Sequence, residues 1–120
     1  MFYETIKFSS HNVAALKKAL RKRYPSIRSS HADEALAASF GFKTYAAMLN
    51  VLNHMSNSAR FMVQTDACLL MMRLEELGYS GLAVQELRRT ILEASYPDEW
   101  VGDELERSLV RRRIPDAANG

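Results

Sequence analysis

Apolar residues recur every three or four positions along most of this chain, in short runs cut by Gly41, by Ser56-Asn57-Ser58, by Gly78 and by Pro97. That interval lays side chains along one face of a helix, whereas a strand alternates every second residue. The chain is therefore expected to be mainly α: a compact bundle of about five helices around one core. Val13, Leu16, Leu20 and Tyr24 stripe a helix over about residues 11–24, with Ser9-Ser10 to cap it and Pro25 to stop it. Ser30-His31-Ala32-Asp33 has the form of a capping box and opens a second helix that runs to Phe40. Gly41 is expected to end that helix with a positive φ. Thr44 caps a third helix to about His54, Asp66 a fourth over 67–77, and Ser80 a fifth over 81–94. A last helix is expected from Asp98 to about Arg112, using Val101, Leu105 and Leu109.

Two segments break the helical period. Residues 2–8 are rich in β-formers and read as a short strand. Residues 60–65 are also β-prone. They form either a second strand paired with the first or the first turn of the fourth helix.

At 120 residues, 48% of them apolar, the chain suits one domain that needs no disulfide or metal to hold it. The domain is expected to span residues 1–113, with 114–120 as a loose tail. Leu16, Leu20, Leu36, Phe40, Met48, Leu49, Leu74, Leu87 and Ile91 are the candidate core. Cys68, the single cysteine, cannot form an internal disulfide, which fits a reducing compartment. Residues 1–8 lack the basic-then-apolar pattern of a secretory signal. The longest nearly apolar stretch, Ala67 to Met72, falls far short of the ~20 residues of a membrane helix. A cytoplasmic protein with no membrane contact is expected.

Charge is distributed unevenly. The net charge of +2 says little. Residues 1–32, however, carry Lys7, Lys17, Lys18, Arg21, Lys22, Arg23 and Arg28 against Glu4 alone, while acids dominate residues 33–110. Lys17, Lys18, Arg21, Lys22 and Arg28 are the candidate contact residues for an anionic partner, because clustered cations can neutralise successive phosphates. A protein partner or a solvated helix face is the competing explanation of the same cluster.

Chemistry-bearing patterns are sparse. His11, His31 and His54 have no metal-ligand spacing, and no P-loop, nucleophile elbow or dinucleotide fingerprint is present. Neither a metal nor a cofactor is expected. Cys68 lies in an apolar run and reads as a small buried residue rather than a nucleophile. Residues 35–52 have the small residues and turn glycine of a helix-turn-helix. Against that reading, the second helix would pack through Ala47 and Asn50 while its large apolar residues are Met48 and Leu49, and it has no Lys or Arg from Tyr45 to Met55.

Ser30-His31, Glu34-Ala35-Leu36-Ala37-Ala38 and the run from Phe40 through Gly41, Phe42, Lys43, Thr44 and Tyr45 to Leu49 together resemble a short helical module of uncharacterised bacterial proteins. A related module carries the family label "glyoxalase-related". The resemblance covers residues 30–52. It implies a bacterial or mobile-element origin, and neither glyoxalase chemistry nor any catalytic residue. The chain is expected to bind rather than catalyse. The first reading is a nucleic-acid-associated regulator using the basic first helix. The alternative is a protein-binding modulator such as an antitoxin, an anti-defence inhibitor or a mobile-element accessory protein, with a homodimer as one form of either.

Overall fold

The computed structural model describes residues 3–55 and 61–98. In chain order these form β1 (Tyr3–Lys7), α1 (Ser10–Arg23), α2 (Ser29–Ser39), α3 (Tyr45–His54), β2 (Met62–Asp66), α4 (Ala67–Glu76) and α5 (Val84–Glu93). The fold is mainly α, with one antiparallel ribbon pairing Tyr3 with Asp66 and Lys7 with Met62. The β-prone segment after residue 60 is thus a strand, and the helix begins only at Ala67. The expected helix over 98–112 and the tail at 114–120 lie outside the described residues.

Four helices form a ring. α1 packs against α2 and α5, and α4 packs against the same two, so α1 and α4 stand diagonally opposite. Leu16, Leu20, Leu36, Leu70, Leu74, Leu87 and Ile91 fill the interior. Burying such a side chain stabilises the fold by about 1.5–3 kcal/mol. A second cluster lies where α3 packs on α2, built from Phe8, Ala37 and Met48 with Phe42, Tyr45 and Val63 against them. Phe8 anchors it, with its ring edge-on to Phe40 at 5.5 Å and stacked on Phe42 at 5.7 Å. The single expected core is therefore two cores, with Phe40 packed against both. Phe40 and Leu49 are only half-buried.

Helix starts match the caps in three of five cases. Ser9, Thr44 and Asp66 each accept a backbone N–H from the first turn of α1, α3 and α4. The other two correct the sequence reading. α2 starts at Ser29, and its N-cap is Arg28, without a side-chain cap. The Tyr79 hydroxyl takes over, accepting the Arg28 backbone N–H at 2.9 Å. Asp33, freed from capping, pairs with Lys17. α5 starts at Val84 rather than beside Ser80: Gly81 takes φ 73° and Ala83 is extended, so neither is part of a helix.

Glu34 ties three elements together. Its carboxylate accepts the Tyr45 N–H at 3.0 Å, a second cap on α3, and lies 3.8 Å from the Arg73 guanidinium of α4. Arg88 of α5 reaches Glu4 of β1 at 3.0 Å and fixes the ribbon to the ring.

Candidate nucleic-acid interface

The basic helix α1 is held on its inner side by Asn12, Leu16 and Leu20, all buried. Val13 and Tyr24, assigned to the same stripe from spacing, are half-buried flanks. Asn12 earns its place through hydrogen bonds: its amide donates to the Lys7 carbonyl at 2.9 Å and accepts the Asp98 N–H at 3.0 Å. A period of apolar residues carries no signal for such a position.

With that side inward, 100° steps around the helix place Lys18, Arg21 and Lys22 on its outer ridge, and all three are exposed. None of them has an acidic partner among the described residues. Arg21 Nε donates to the Ile27 carbonyl at 3.2 Å, tying the ridge to the turn that carries exposed Arg28. Two other cations of the cluster are neutralised. Lys17 sits on the flank facing α2 and reaches Asp33 at 2.9 Å, and Arg23 pairs with Glu86 of α5. Of the five expected contact residues, the structure gathers Lys18, Arg21 and Lys22 on one ridge, places Arg28 in the adjoining turn, and gives Lys17 an internal carboxylate.

An open groove of about 610 Å³ runs beside this ridge, between α1 and the end of α5. Ala15 and Ala19 form its floor, Lys18 and Lys22 its α1 rim, and Glu93 and Pro97 its far wall. Residues 94–98 cross from α5 to the first turn of α1. There the Ser9 hydroxyl donates to the Asp98 carboxylate, and His11 Nδ1 lies 3.6 Å from it. A carboxylate at that helix start also complements the positive end of the α1 dipole. Within the same crossing, Tyr96 donates to the Ile91 carbonyl at 2.8 Å. Burial pushes its phenol well above the usual tyrosine range, and the Glu4 carboxylate adds to the shift. Spacing along the sequence reveals neither the groove nor the Asp98 contact, because each depends on where α5 delivers the chain.

The remaining candidates have ordinary surroundings. Ala47 and Asn50, the positions through which a helix-turn-helix would pack, are exposed, while Met48 is buried. The outward face of α3 is neutral, with Ala46, Ala47, Asn50 and Asn53. His31 Nδ1 meets the Tyr79 hydroxyl at 2.8 Å, and His54 Nδ1 meets the Asn50 carbonyl at 2.7 Å. Cys68 is half-buried in the first turn of α4. Among the described residues, no three His, Cys, Asp or Glu side chains gather as a metal site, and no helix is long and apolar enough to cross a membrane. No family model, curated protein or solved structure matches this chain.

Proposed function

We propose that this protein is a small non-enzymatic binding protein, of bacterial or mobile-element origin, that associates with nucleic acid through the outer ridge of α1. The observation that carries this reading is the exposure of Lys18, Arg21 and Lys22 on one ridge with no carboxylate among the described residues to neutralise them. A ridge of this kind contacts phosphates and carries no base code, so binding is weak and indifferent to sequence. Three neutralised phosphates on duplex DNA correspond to a fall in log affinity of about 2.7 per decade of salt. Gel retardation or fluorescence anisotropy with random duplex at several salt concentrations measures that slope. The Lys18→Ala/Arg21→Ala variant should bind every sequence more weakly and flatten the slope by about 1.8. Absence of retardation at low salt would overturn the reading.

A second reading, a protein-binding modulator, draws on a different surface. Leu69 and Met72 are exposed one turn apart on α4, diagonally across the ring from α1. Exposed apolar side chains of this kind suit a protein contact, including one with a second copy of the chain.

A further inference from the structure

The peptide unit that joins Ile27 to Arg28 is held on both sides. Its carbonyl accepts the Arg21 Nε–H of α1 at 3.2 Å, and its N–H donates to the Tyr79 hydroxyl at 2.9 Å. A peptide unit is planar, so hydrogen bonds on its two edges fix its orientation. Ile27 anchors it further, with a buried side chain in the ring core and an N–H bonded to the Tyr24 carbonyl at 3.1 Å. The turn between α1 and α2 is therefore a firm mount, and exposed Arg28 projects from it.

The same bond constrains Arg21. A guanidinium is planar and carries its N–H donors in a fixed fork. With the Nε–H committed to a held carbonyl, the plane of the group is restrained. The N–H groups of its two terminal nitrogens are left for an outside acceptor. Among the described residues no carboxylate pairs with Arg21 or with Arg28. Lys18 and Lys22 differ from this pair. Each is a point charge on a flexible stem, with donors that rotate. Arg28 also stands where helix stability alone does not favour a cation. It is the N-cap of α2, makes no side-chain cap, and faces the positive end of the helix dipole with no acid in the first turn.

We infer that Arg21 and Arg28 act as one directional phosphate-contacting pair, in which Arg21 presents an aimed donor fork and also fixes the mount of Arg28. This rests on the nucleic-acid reading of α1 and adds a division of labour to it. Lys18 and Lys22 supply an attraction that any polyanion feels. The arginine pair decides where along the strand a phosphate sits, because parallel N–H groups of a fork match two phosphate oxygens.

Fluorescence anisotropy of random duplex with the full-length protein tests the pair. Arg21→Lys keeps the charge and should weaken binding about three- to tenfold, with the salt slope unchanged. Lys18→Arg and Lys22→Arg should stay within about twofold of the parent. Arg21→Ala and Arg28→Ala together should weaken binding by less than the product of their separate effects, whereas Lys22→Ala and Arg28→Ala should multiply. An Arg21→Lys variant that binds like the parent, or one that binds weakly with a flattened slope, overturns the inference. Arginine losses that simply multiply do so as well. A second readout needs no nucleic acid. In the free protein, the Arg21 Nε–H should exchange with water more slowly than those of Arg28 and Arg89, as followed by nitrogen-15 NMR. Equal exchange overturns the aimed fork whether or not the protein binds duplex. A protected Arg21 Nε–H in a protein that does not bind duplex at low salt would leave the mount standing and overturn both the nucleic-acid reading and the pair's phosphate role.

Discussion

The turns that end α2 and α4 share a backbone and differ in the side chain after the glycine. In each, a glycine takes a positive φ, 89° at Gly41 and 103° at Gly78. Both glycine N–H groups bond three residues back, to Ala38 and Glu75. The next N–H groups reach five residues back, to Ala37 at 2.9 Å and Leu74 at 3.0 Å. This is the Schellman form, which satisfies carbonyls that the helix end would leave open. After Gly41 comes Phe42, whose ring stacks on Phe8 and serves only the smaller core. After Gly78 comes Tyr79, whose ring packs edge-on to His31 at 5.6 Å and whose hydroxyl accepts the Arg28 N–H. The backbone decides where the chain turns. The side chain decides whether the turn fills space or reaches across the ring to start another helix.

Substitutions can break this comparison at graded cost. The largest effect is expected at the residue each turn closes upon, which is the large Leu74 in α4 and the small Ala37 in α2, both fully buried. Leu74→Ala should destabilise by about 2–5 kcal/mol through the cavity it leaves. Ala37→Leu should cost about 1–3 kcal/mol through overpacking against Phe8 and Met48. Denaturant midpoints measure both, and a neutral Ala37→Leu would mean that the smaller core has unused room.

The glycines come next. A Cβ built on either meets nothing within 4 Å, so only the backbone conformation opposes a side chain. Gly41→Ala and Gly78→Ala should each cost about 1–2 kcal/mol, and by similar amounts. A clear difference between them would end the case for one shared backbone design.

Tyr79→Phe should have the smallest effect, about 0.5–1.5 kcal/mol, because both groups it abandons, the exposed Arg28 N–H and the half-buried His31 Nδ1, can turn to water. Amide exchange should nevertheless quicken at the start of α2, while the end of α4 stays protected. Uniform exchange across both ends would show that the hydroxyl holds nothing at a distance.

The same contrast separates the parts of the fold that are legible in the sequence from those that are not. Gly41 and Gly78 can be read as stops because a left-handed residue after an apolar helical run is a local requirement. Thr44 and Asp66 can be read as caps for the same reason, since each bonds within its own turn. The start of α2 escapes such a reading because its cap comes from Tyr79, on a turn far along the chain, while Ser30 and Asp33 only have the form of a capping box. At the candidate interface, helical spacing suffices to find Lys18, Arg21 and Lys22. It cannot find that Lys17 and Arg23 are neutralised, because Asp33 and Glu86 arrive on other helices. The split of the core in two is hidden as well, because period shows which side of a helix is inward but not which neighbour it meets.

The β1–β2 ribbon bears on the order in which the molecule assembles. It joins Tyr3 to Asp66, so α1, α2 and α3 all lie inside the loop it closes. Helices form in about a microsecond, whereas closing a loop carries an entropic cost that must be met before the distant contact gives anything back. Asp66 is at once the last paired residue of β2 and the residue whose carboxylate caps α4, accepting the Cys68 N–H at 2.8 Å. A ribbon slipped by one residue would turn the inward face of β2, with buried Thr65, outward, while Asp66, next to Ala67 in the chain, would still cap α4. The cap of α4 is thus local and independent of registry, whereas the place of α4 in the ring depends on a pairing between segments far apart in the chain.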